Sequence, residues 1–158
     1  MSNAVRAQSW PANFQLAYTK SGGNPVTDWR VCDGAVHSGA PVVLSTGKVA
    51  EAGATSGALY GVALAAGADG DSIPIAVGDR ENIFVGQADA KTEDIAPPAE
   101  CDIVKSGDDF LIDIGASVED VIHVIGKPPE DDQTDTTDCG RVYFQIKRSE
   151  WDALVAAR

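Results

Sequence analysis

The chain has 158 residues, a mass of 16.4 kDa and a net charge of −12, set by 12 Lys and Arg against 24 Asp and Glu. A chain of this size fits one domain that buries roughly two-thirds of its unfolded surface, so a core forms without metals or disulfides. The charge repels polyanions and argues against DNA, RNA or an anionic membrane as partner.

The charge is uneven. Residues 1–50 carry Arg6, Lys20, Arg30 and Lys48 against Asp28 and Asp33, for +2, which leaves −14 on residues 51–158. Cys32, Cys101 and Cys139 are odd in number and form no CxxC pair, so neither a disulfide framework nor a zinc site is indicated. The sequence lacks a run of about 18 apolar residues and the basic-then-apolar layout of a signal peptide, so synthesis in a reducing cytoplasm is expected.

Residues 1–28 read as an extended arm with aromatic anchors: Trp10, Phe14 and Tyr18 recur every four residues among Ser, Asn, Gly and Pro. Pro11 and the stretch Ser21–Pro25 argue against a long helix. Two roles stay open for these aromatics, covering the end of the chain's own barrel or docking on a partner. Trp29, where the arm meets the core, joins them as a candidate contact.

Residues 29–90 have the texture of a β-barrel core, short apolar runs punctuated by glycine. Trp29–Cys32 leads to a turn at Asp33-Gly34. Pro41–Leu44 then runs to Ser45-Thr46-Gly47 and returns through Lys48–Ala50, a hairpin. Ala58–Ala65 predicts a longer strand in which Gly61 marks a bulge or a barrel corner. In Ser72–Val77, Ile73, Ile75 and Val77 share one face, and Pro74 predicts an edge strand or a bulge because it cannot donate to a ladder. Glu81–Ala88 supplies the next strand.

Residues 91–158 read as a C-terminal β extension of the same domain or a small subdomain. The linker around Pro97-Pro98 is followed by a hairpin from Cys101–Val104 to Asp109–Ile114. Ser117 and Asp120 resemble a capping box, but the β-branched run Val121–Ile125 argues for a strand. A polar loop, Gly126–Gly140, precedes a last strand at Arg141–Lys147, and Ser149 with Asp152 predicts the cap of a short terminal helix. The fold class expected is mainly β, a small barrel or sandwich with an N-terminal arm and a short C-terminal helix.

Catalytic chemistry finds little support. Asp131, Asp132, Asp135 and Asp138 offer oxygen ligands, but their spacing is not that of an EF-hand loop, and a solubilising loop is the plainer reading. His37 and His123 are distant in sequence, and a Cys-His nucleophile needs a hydrogen-bonded pair with an oxyanion hole. Gly39–Lys48 ends in Gly-Lys, but Val49 stands where a P-loop needs Ser or Thr. GxGxxG, GxSxG and HExxH are absent from the sequence. No catalytic residue, metal or cofactor is expected.

The phrases Gly39–Leu44, Leu59–Leu64, Gly70–Gly78 and Ile83–Gly86 give the core a further likeness. Residues 30–90, with Arg141–Lys147 as a closing strand, resemble the small capsid decoration (cement) proteins of tailed bacteriophages. The likeness lies in turns and apolar positions. It implies a β-tulip barrel and a non-enzymatic protein on the virion capsid exterior, bound as a homotrimer to the major capsid protein of an expanded head. Trp10, Phe14, Tyr18 and Trp29 would be contact residues. The longer C-terminal half departs from that pattern, which leaves oligomeric state open. The other reading is a ligand- or carbohydrate-binding β module of a phage structural protein.

Overall fold

Apolar residues alternating with polar ones and broken by glycine turns specify antiparallel strands, and strands account for nearly all regular structure. The computed structural model describes residues 13–53, 56–89, 99–106, 109–113, 120–128, 140–147 and 149–156. Trp10, the linker at Pro97-Pro98, Ser117, the acidic loop at 131–138 and Cys139 lie outside the described residues.

In chain order the strands are β1 (Gln15–Thr19), β2 (Thr27–Val31), β3 (Pro41–Ser45), β4 (Lys48–Glu51), β5 (Gly61–Ala63), β6 (Ser72–Val77), β7 (Asn82–Gln87), β8 (Ala99–Ser106), β9 (Asp109–Asp113), β10 (Ile122–Gly126) and β11 (Arg141–Ile146). Helix α1 (Glu150–Ala156) ends the described chain. Two antiparallel sheets result, one ordered β1-β7-β11-β10-β8-β9 and the other β2-β6-β5-β3-β4. The fold is mainly β, as expected.

The five-stranded sheet curls like a small barrel. Cys32, just past β2, bridges Val49 of β4, and the Asp33 N–H donates to the Val49 carbonyl at 2.8 Å. The β3–β4 hairpin turns through Thr46 (φ 50°) and Gly47 (φ 81°), the paired left-handed conformation that matches strand twist. The six-stranded sheet carries an aromatic core, with Phe144 edge-on to Phe14 at 5.0 Å and stacked on Phe84 at 5.7 Å. Gly86 leaves room for the Phe14 ring, where a Cβ would collide with it. One buried cluster includes residues of both sheets, from Val42, Tyr60 and Ile75 to Phe84, Ile112 and Phe144.

Buried Asn82 staples the sheets together. Its Oδ1 accepts from the Val26 N–H at 3.2 Å, and its Nδ2 donates to the carbonyls of Val26 (2.8 Å) and Val77 (3.0 Å). At the C-terminus, Ser149 Oγ accepts from the Asp152 N–H at 3.1 Å, the cap that the sequence predicts.

Three expectations are corrected. Residues 13–28 are not an arm: β1 pairs with β7, the Phe14 N–H donates to the Gly39 carbonyl at 2.9 Å, and Asn13 bonds Ser38 and Phe110. Strand β6 is not an edge but lies between β2 and β5. Pro74 fits there because its carbonyl accepts from Leu64, just beyond β5, so its missing donor falls where β5 has already ended. Finally, Ala58–Ala65 is not one long strand. Only Gly61–Ala63 pairs with β6, and Leu59 instead bridges Ser149. A Cβ on Gly61 would collide with the Ala76 carbonyl, so the glycine serves close strand approach.

The C-terminal half is woven into the fold. Strand β11 sits between β7 of the first half and β10 of the second.

Candidate functional site

Strand β2 alternates in exposure, with Thr27, Trp29 and Val31 outward and Asp28 and Arg30 half-buried. The outward positions form an apolar row with their neighbours. Trp29 pairs with Pro74, whose carbonyl in turn binds Leu64, and residues opposite one another in a sheet share a face. Trp29 is 64% exposed, and Val31 and Leu64 are each 38% exposed. Thr27 and Ser72 add polar groups beside them.

The opposite side of β2 explains why the row is held out to solvent. Tyr60 donates to Asp28 Oδ2, and Arg30 Nε donates to the same oxygen at 2.8 Å. Arg30 also reaches the Gly47 carbonyl at 3.2 Å and lies 5.4 Å from the centre of the Tyr60 ring. Burial alone would raise the Asp28 carboxyl, but hydrogen bonds from Tyr60 and Arg30 outweigh it and hold the group below its ordinary value. Burial and the Asp28 carboxylate together push the Tyr60 phenol up to about 12. Trp151 of α1 closes on the other side of Tyr60, edge-on at 6.1 Å. Strand β2 is thus pinned through its polar face while its apolar face stays open.

The four contact candidates separate. Trp10 lies outside the described residues. Phe14 is 2% exposed and packed in the aromatic core, so its assignment as a contact residue is corrected: it holds the fold. Tyr18 is 43% exposed and edge-on to Tyr143 at 5.2 Å. With Trp29 it remains available to a partner. Leu64, Val31 and Pro74 were missed as members of the face. Alternation along β2 was the signal for Val31, whereas Leu64 and Pro74 join through pairings across strands.

Each described histidine meets a carboxylate. His37 Nδ1 lies 2.7 Å from Glu51 Oε2, and Lys105 of β8 reaches Glu51 Oε1 at 3.2 Å. His123 Nδ1 lies 3.1 Å from Glu100 Oε1, and Lys147 lies 3.2 Å from Oε2. Burial would raise both glutamates, but these donors outweigh it and hold both carboxyls below the usual range. Cys32 and Cys101 are unpaired and buried. Burial and neighbouring acids push the Cys101 thiol up to about 11 and raise Cys32 as well, the reverse of what an activated thiolate needs.

No protein-family model, curated protein or solved structure matches the chain. Among the described residues there is no group of three or more His, Cys, Asp or Glu placed to hold a metal ion. Among the same residues, no helix is long and apolar enough to cross a membrane.

Proposed function

We propose that the protein is a tailed-phage capsid decoration protein, which binds the outer surface of the expanded head and stabilises contacts between major capsid protein subunits. The observation that carries this reading is the open face formed by Trp29 and Val31 of β2, Pro74 of β6 and Leu64 just beyond β5, with β2 pinned from behind. A rigid apolar platform loses little entropy on docking, and tryptophan is enriched among residues that dominate interface energy. Strand β2 pairs along its length with β6, and its other side meets the β3–β4 hairpin through the Cys32–Val49 bridge and the Arg30–Gly47 bond. A partner would therefore dock on the outward face rather than add a strand. The excess acidic charge suits an outward surface that resists clumping of virions. A homotrimer repeated across a lattice would turn weak single contacts into firm attachment.

The test is to mix purified protein with expanded heads, sediment them and follow their melting. Saturable capture with a higher melting temperature of the heads is expected. Absence of affinity for expanded heads ends the reading.

A second reading, a carbohydrate-binding module, is favoured by the exposed Trp29 indole flanked by the hydroxyls of Thr27 and Ser72. Saturable quenching of tryptophan fluorescence by a glycan, lost in Trp29→Ala, would favour it over capsid attachment.

A further inference from the structure

Away from the Trp29 face lies a cavity of about 250 Å³ bordered by Lys20, Arg80, His123, Gln145, Lys147 and Asp152. These residues come from five separate parts of the chain: the end of β1, the β6–β7 connection, β10, the end of β11 and helix α1. Of the eight Lys and Arg among the described residues, three converge here. Among the described residues, Asp152 is the one carboxylate in the lining. In a chain of net charge −12, this is a local concentration of cations, with Glu100 standing behind Lys147 and His123.

The backbone around the cavity is tied in place. Gln145 Nε2 donates to the Arg80 carbonyl at 2.8 Å, the Lys20 N–H donates to the Glu81 carbonyl at 2.9 Å, and the Lys147 N–H donates to the Val121 carbonyl at 2.8 Å. His123 and Gln145 face each other across β10 and β11.

The cations are only partly committed to acids. Arg80 Nε stands 4.0 Å from Asp152 Oδ2, beyond hydrogen-bond distance. Lys147 lies 3.2 Å from Glu100 Oε2, but an ammonium has three protons to share. Glu81 spends Oε2 on the Ser21 N–H. Glu100 occupies Nδ1 of His123, which leaves Nε2 as the second polar atom of that ring.

We infer that this cavity binds a compact oxyanion, a phosphate or carboxylate group, through Lys20, Arg80 and Lys147, with the Gln145 amide and the His123 ring beside it. Lysine serves as a point charge and arginine as a planar fork, and both recur where such groups are recognised. The site is independent of the Trp29 face.

Isotope-labelled protein titrated with inorganic phosphate and, separately, with acetate tests the inference, at constant ionic strength held by chloride. Saturable shifts are expected at the amides of Lys20, Arg80, Gln145 and Lys147 and at the His123 ring. Saturation by phosphate alone assigns a phosphoryl group, and saturation by acetate alone assigns a carboxylate. The double variant Lys20→Ala/Arg80→Ala, made at exposed side chains, should weaken binding by about tenfold or more, whereas Lys48→Ala on β4 should leave it unchanged. Shifts that stay linear with both anions, or affinity equal to wild type in the double variant, overturn the inference.

Discussion

Strands β1 and β2 arise from one N-terminal stretch and each ends a sheet, yet they use their aromatics in opposite ways. Just before β1, Phe14 turns into the core. On β2, Trp29 turns to solvent while the buried side is filled by Asp28 and Arg30. The contrast teaches that an edge strand can be fixed by apolar burial or by a polar network beneath it. Only the second arrangement leaves an apolar face free to meet something else.

The largest expected effect breaks the first arrangement. Phe14→Ala removes the ring packed on Phe144 and Gly86 and should cost about 3–5 kcal/mol in denaturant unfolding. Asn82→Ala tests the staple between the sheets. It strips partners from the Val26 N–H and from two carbonyls, and should cost about 2–4 kcal/mol, since a buried polar group left unpaired costs about 1–3 kcal/mol.

The polar network under β2 is the next to probe. Tyr60→Phe deletes the donor to Asp28 and should cost about 1–2 kcal/mol, because Asp28 is partly exposed and screened. Wild type carries a matching alkaline signature. A phenol raised in the folded state from 10.0 to about 12 supports stability below its unfolded value and loses that support as pH rises towards 12. The steepened loss of stability over that window should vanish in Tyr60→Phe.

Much of the strand content was legible in the sequence, and the reasons are local. Thr46-Gly47 between apolar runs announces a hairpin wherever it falls, and Val121–Ile125 is too β-branched for a helix. Less visible was what depends on pairing. Phe14 and Tyr18 are four apart, a spacing that keeps one face of a regular strand, but β1 shifts register between Leu16 and Tyr18, and the extra residue turns Tyr18 outward. Pro74 argues for an edge until β5 is seen to end beside it. The insertion of β11 between β7 and β10 has no local signal at all. Asp28 and Arg30 at alternate positions of β2 were a visible hint of the polar network, but their partner Tyr60 lies in another part of the chain. The cationic cavity, drawn from five segments, has no sequence signature.

Acid should weaken the molecule through Glu51 and Glu100. Both carboxyls are held low in the fold by His and Lys donors, so their support is present above the unfolded carboxyl range and drains as pH falls through the folded values. Denaturant midpoints should therefore fall on acidification, and Glu100→Gln should show a smaller fall than wild type.

The smallest expected effect on stability belongs to Trp29, which is 64% exposed. Trp29→Ala should unfold within about 0.5 kcal/mol of wild type. Its importance lies in binding, and co-sedimentation of this variant with expanded heads is the most direct test of the account. At unchanged melting temperature of the free protein, attachment should weaken by about tenfold or more, as for an interface hot spot. Attachment equal to wild type would contradict the claim that the pinned apolar face of β2 is what the protein uses to hold its partner.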